Sequence, residues 1–120
     1  MLILEKEIVF AGADIVNHIL VPVKCRLEAV YILSSDAITA NGSNYLKFNV
    51  YGSNGTSVVA DRDTSSADLA QLVGEEVAID ANQDKRVYEA GDYVKIEIDE
   101  TGTFSGTPTI HFALKLELAR

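Results

Sequence analysis

Tryptophan is absent from this chain, cysteine and methionine occur once each, and histidine and proline are limited to two apiece. A lone cysteine, Cys25, leaves no internal disulfide to form, so no covalent cross-link holds the fold and nothing argues for an oxidising compartment. Basic residues are scarce too: 10 Lys and Arg stand against 18 Asp and Glu, a formal net charge of -8. Such a field repels a phosphate backbone, so no nucleic acid is expected as a partner. It repels an anionic bilayer equally, so no membrane is expected either. No apolar run reaches the ~20 residues of a membrane-spanning helix. The opening residues Met1-Leu2-Ile3-Leu4-Glu5-Lys6-Glu7 lack the zones of a secretion signal. The expectation is synthesis in a cytoplasm with no address of its own.

What is present fits one globular domain over residues 1–120. The chain is 48% hydrophobic, enough for a core. A domain of this size buries roughly two-thirds of its unfolded surface, without needing disulfides or metal.

The dominant period is two. Leu46, Phe48 and Val50 alternate with Tyr45, Lys47, Asn49 and Tyr51. Val94, Ile96 and Ile98 alternate with Tyr93, Lys95, Glu97 and Asp99, and Ile110 to Leu118 alternates against His111, Ala113, Lys115 and Glu117. This pattern marks strands with one face in a core and one in water. Shorter or less regular runs at Leu2–Phe10, Ile15–Val21, Val23–Ser34, Ser57–Asp63 and Glu76–Asp80 bring the total to about eight strands. The expected fold is all-β, a two-sheet antiparallel sandwich of jelly-roll type. Residues 1–10 read as a first strand or partly as an N-terminal arm, and the two terminal strands are expected to join the folded body. Asn41-Gly42-Ser43-Asn44, Ser53-Asn54-Gly55-Thr56, Ala90-Gly91-Asp92 and Thr101 to Pro108 supply the turns. One short helical turn is expected near 66–73, where Leu69, Leu72 and Val73 are spaced for one face and Ser65 or Ser66 is placed as a cap.

Site chemistry is sparse. Asp61, Asp63, Asp80, Asp84, Asp99 and Glu100 are acidic, but their spacing matches no calcium loop, and Asp favours turns in any case. Two histidines and one cysteine stand too far apart for a zinc motif. No nucleophile elbow, phosphate loop or dinucleotide fingerprint occurs. His111 reads as a surface-paired histidine and Cys25 as a small buried hydrophobe. The expectation is no enzyme, no cofactor and no metal. Tyr45, Tyr51 and Tyr93 share an outward parity and form a candidate contact surface, since Tyr joins apolar area to a polar tip; strand propensity alone would also place them there.

Val23 to Ser34 departs from simple alternation. Val23, Cys25, Leu27, Ala29, Tyr31 and Leu33 hold the odd positions, while the even ones pass from Lys24, Arg26 and Glu28 to Val30 and Ile32. One half of this strand reads as covered on both faces, which a lone sandwich does not offer. Val30 and Ile32 are therefore interface candidates, together with Leu2, Leu4 and Ile8 of the apolar first strand.

From Val23 to Leu118 the chain resembles a known pattern. Val30-Tyr31-Ile32-Leu33, Asp36-Ala37-Ile38-Thr39-Ala40 and Asn44 to Tyr51 resemble segments of small tailed-phage virion proteins. So do Ala90-Gly91-Asp92 with its following strand, Thr101-Gly102-Thr103, and Pro108 before the last strand. The resemblance is to head decoration, or cement, proteins. It implies a β-sandwich or jelly-roll body on the capsid exterior, a homotrimer, the major capsid protein as partner, and no catalytic residues. Two other roles suit the same fold: a carbohydrate- or receptor-binding module of a tail fibre or surface protein, and a minor tail or connector protein.

Overall fold

In the computed structural model, which describes residues 1–119, nine strands form two antiparallel sheets. They are β1 (Leu2–Val9), β2 (Ile15–Leu20), β3 (Cys25–Ser34), β4 (Tyr45–Tyr51), β5 (Val58–Asp63), β6 (Glu75–Val77), β7 (Val87–Tyr88), β8 (Tyr93–Thr101) and β9 (Thr109–Leu118). One sheet runs β1-β9-β3-β6, with β7 added beside the start of β3. The other runs β2-β8-β4-β5. The chain crosses between sheets at nearly every connection, and only β4 to β5 is a hairpin within one sheet. That order is a jelly roll. The two terminal strands do meet: β1 pairs with β9 along its whole length, from Leu2↔Leu116 to Val9↔Thr109.

The core is the set of inward residues that the period of two picks out. Leu46, Phe48 and Val50 face Ile110, Phe112, Leu114 and Leu116 across the sandwich, and Phe48 meets Phe112 edge-on at 6.3 Å between ring centres. Each such side chain contributes about 1.5–3 kcal/mol through burial. Tyr88 is fully buried at the end where β3 begins, and its hydroxyl donates to the Tyr51 carbonyl at 2.7 Å. Cys25 is buried in the same cluster, and burial pushes its thiol up, away from the reactive thiolate.

β3 does not keep one parity. Its pairing with β9 slips between Leu27 and Ala29, leaving Glu28 as the extra residue of a β-bulge. Before the bulge, odd residues point inward (Cys25, Leu27); after it, even residues do (Val30, Ile32, Ser34). Val30 and Ile32 are each only 1% exposed and belong to the inter-sheet core. They are not free for a neighbouring chain, which corrects the reading of a doubly covered strand. Ile8 is likewise a core residue, while Leu2 and Leu4 are half-buried against that core. Arg86, almost fully buried, holds the bulge: its Nη1 donates to the Leu27 carbonyl at 2.6 Å and lies 3.8 Å from the Glu28 carboxylate.

The segment 66–73 also differs from expectation, because it holds no helix. The short helical turns lie instead at Ser53–Gly55 and Gln83–Arg86. Leu69 is buried and exchanges two backbone hydrogen bonds with Ile38, both 2.9 Å, while Leu72 adopts φ +54° and projects outward with Val73. A left-handed leucine cannot continue a right-handed helix. The extended pairing with Ile38 satisfies the backbone that a helix would have bonded internally.

Two edges of the sandwich carry a polar residue at inward parity. On β1 the inward row is Leu2, Leu4, Lys6 and Ile8; on β2 it is Ile15, Asn17 and Ile19. An inward charge or amide on an edge strand discourages a further strand from adding there.

Candidate functional site

Three surfaces merit attention. The first is the outer face of the β2-β8-β4-β5 sheet. Strand register sets Val16, Glu97, Asn49 and Asp61 in one row, and Asp99, Lys47 and Asp63 in the next. Asn49 is only 3% exposed although it faces outward, because its neighbours close over it. Its Nδ2 donates to Glu97 at 3.1 Å and to Asp99 at 3.3 Å. The Tyr51 hydroxyl donates to the same Glu97 oxygen at 2.7 Å, and Lys95 Nζ sits 4.4 Å above the Tyr51 ring.

The two carboxyls are driven apart. Burial pushes both up, but Glu97 accepts from Tyr51, Asn49 and Asp99, and these bonds hold it below the usual range. Asp99 is raised by burial, by the charge on Glu97, by the hydrogen bond it gives Glu97 and by the charge on Asp14, against a smaller pull from Lys47. Donating to Glu97, with burial second, pushes the Tyr51 phenol up to about 12. A raised carboxyl stabilises the fold while protonated and loses that contribution as pH rises through its folded value. Asp99→Asn is therefore expected to stabilise the domain by about 0.5–1 kcal/mol at pH 7, the scale of relieving one like-charge pair on a partly exposed sheet. The gain should fade as pH falls through the raised folded value of Asp99 and be gone once pH reaches the usual aspartate range; melting curves at pH 7 and pH 3.5 check it.

The tyrosines do not form one patch. Tyr51 and Tyr93 lie toward the end where β8 begins, and Tyr45 lies at the opposite end, beside Thr101. Tyr93 packs edge-on against His18 at 4.8 Å, and its hydroxyl donates to the Asn54 carbonyl at 3.1 Å. On the other sheet His111 sits between Glu5 and Glu7, each 3.4 Å from one ring nitrogen. Among the described residues no cluster of three His, Cys, Asp or Glu side chains is arranged to hold a metal ion, and no helix is long and apolar enough to cross a membrane.

The second surface is one end of the molecule, which measures 43 × 23 × 23 Å. β1, β3, β5 and β8 start there, and β2, β4 and β9 finish there. Met1, Leu20, Val23, Val58, Tyr93 and Leu118 all lie at that end and are all exposed, with Leu20 at 67% and Leu118 at 65%. Asp92 ties its turns together, accepting from the Ser53 hydroxyl, the Asn54 amide and the Glu89 N–H. Those bonds, the Ser53 one foremost, hold its carboxyl below the usual range.

The third is a cleft of about 320 Å³ at the far end, between the loops at 37–44 and 103–105. A second cleft, of about 380 Å³, lies beside the bulge. Its Glu28 carboxylate is already engaged by Arg26 at 2.6 Å and Arg86 at 3.8 Å.

The sequence marks the loops 41–44 and 101–108 as turns, but their meeting depends on strand order, which no local signal carries. The chain matches no protein-family model, no curated protein and no solved structure.

Proposed function

We propose that this chain is a structural virion protein that decorates a tailed-phage capsid, standing end-on on the coat lattice and bridging major capsid subunits. The observation that carries this reading is the gathering of exposed Met1, Leu20, Val23, Val58, Tyr93 and Leu118 at one end of an elongated body. Exposed apolar side chains scattered singly need no explanation, but grouped at one end they suit a docking surface. The jelly-roll topology supports it, being a scaffold of viral capsid proteins, although the same scaffold also serves lectins. The -8 charge keeps such a protein soluble before assembly. Many copies on one particle would turn weak individual contacts into firm attachment. A homotrimer, with three ends converging on one lattice point, is the proposed unit.

Sedimentation supplies the test. The chain should run at three times its 13.0 kDa mass and co-sediment with expanded phage heads through sucrose. The paired change Leu20→Glu with Leu118→Glu touches no core residue, so its melting temperature should hold within a few degrees while head binding falls at least about tenfold. Wild-type protein that stays at the top of the gradient, or a double variant that binds heads undiminished, overturns the proposal.

A further inference from the structure

Beyond docking, the opposite end carries a preformed cleft whose lining is chemically coherent. Its walls are Ala37, Ile38, Thr39, Asn41 and Asn44 on one side and Thr103, Phe104 and Ser105 on the other. None is charged, in a chain that carries 28 charged side chains. We propose that this cleft binds a neutral sugar, a single pyranose or the terminal residue of a glycan.

The hydrogen-bonding groups are set in advance. Asn41 Oδ1 accepts from the backbone N–H of Ser43 and of Asn44, both at 2.9 Å, and Asn44 Oδ1 accepts from the Thr103 N–H at 2.9 Å. Backbone N–H groups only donate, so these bonds fix which end of each amide is oxygen. Both Nδ2 groups are left as donors without a protein partner among the described residues. The hydroxyls of Thr39, Thr103 and Ser105 each donate and accept. Vicinal sugar hydroxyls need that mixture of neutral donors and acceptors at close spacing.

Phe104 supplies the apolar part. Its ring is half-buried and stands edge-on to fully buried Phe10, 5.7 Å between centres at 84°. A ring braced in this way offers a fixed platform for the C–H face of a sugar. A cleft of about 320 Å³ lies at the small end of ligand sites, matching a sugar-sized guest and not an extended chain. Among the described residues no Lys or Arg lines the cleft, and Glu100 sits behind it, accepting from the Phe104 N–H at 2.9 Å, so a sugar phosphate or an acidic sugar is disfavoured.

The walls are braced against collapse. Gly102 has φ +69°, and a Cβ there would lie 2.3 Å from both Asn44 Oδ1 and the Ser43 carbonyl, so only glycine lets the two loops close together. The opposite loop is clamped from outside: Ile38 pairs with Leu69, Asn41 N–H donates to the Thr64 carbonyl at 3.1 Å, and Ala40 N–H donates to Asp68 at 2.7 Å. Preorganised groups lose little freedom on binding.

The experiment uses the whole chain, a glycan array of neutral and acidic sugars, and NMR titration with the neutral monosaccharides that score. Expected are amide shifts confined to 37–44 and 102–106, no response to sialic acid or sugar phosphates, and binding about tenfold weaker in Phe104→Leu, the scale of one lost ring contact. Because Phe104 also touches the core, Ser105→Trp serves as a plug from an exposed loop position and should abolish binding with the melting temperature unchanged. No response to any neutral sugar, shifts centred on Tyr51 and Tyr93 instead, or a Ser105→Trp protein that binds like wild type would each overturn the proposal. The Leu20→Glu and Leu118→Glu changes lie at the other end, so loss of head binding and loss of sugar binding are separable.

Discussion

Ile32→Ala should weaken the domain by about 3–4 kcal/mol, whereas Tyr31→Ala next to it should cost less than about 1 kcal/mol. Ile32 is 1% exposed in the inter-sheet core, paired across the sheet with the Phe112 position, and truncating it leaves a cavity that the surrounding strands cannot collapse into. Tyr31 is 42% exposed, and its hydroxyl makes only a long 3.3 Å bond to Glu76. A domain of this size has ~5–15 kcal/mol in total, so the first loss is a large fraction of it. Urea denaturation of both variants reads the contrast directly. A β3 of unbroken odd-in parity would reverse the ranking, so equal or inverted losses would sink the bulge at Glu28. The same contrast distinguishes core from interface: Ile32→Lys should unfold the isolated chain, not merely release a partner.

Arg86→Met should destabilise by about 2–3 kcal/mol. Two contacts are at stake, and they are unequal. Glu28 keeps a partner in Arg26 at 2.6 Å, so losing its 3.8 Å neighbour does not strand a charge. The Leu27 carbonyl accepts its bond from Arg86 right where the register with β9 shifts, and methionine offers no donor to replace it. A charge-assisted bond to a buried carbonyl is worth about 1.5–3 kcal/mol, and leaving the acceptor unpaired forfeits it. Arg86→Lys retains the charge but not the reach and orientation of Nη1, which makes both contacts, and should recover less than half. Thermal melts of the three proteins order them. A methionine variant as stable as the wild type would show that water replaces the guanidinium at no loss.

These two residues also show where the sequence was legible. The alternation in β4, β8 and β9 named their inward residues correctly, since one face in a core imposes a period of two. In β3 the same rule fails silently, because one inserted residue exchanges the faces. The trace was there: the polar series Lys24, Arg26, Glu28 stops where Val30 begins, which marks a change of phase as readily as a second cover. Arg86 gave no trace, for an arginine is ordinarily a surface residue. Leu69, Leu72 and Val73 fit a helical face by spacing, yet pairing with Ile38 decided the conformation. Asn49 reads as an exposed polar residue and is buried only because Glu97, Asp99 and Tyr51 converge on it from β8 and the end of its own strand. The sugar-sized cleft was half legible, as two separate turns.

The pairing of β1 with β9 has a consequence in time. The ribosome releases β1 first, but its sheet partner follows roughly a hundred residues later, which at about 5–20 residues per second is a delay of ~5–20 s. During that interval an apolar strand waits with both edges open. The Glu5-Lys6-Glu7 triplet interrupts it at its middle, acting as a gatekeeper for a nascent chain and not only as an edge guard for the finished one.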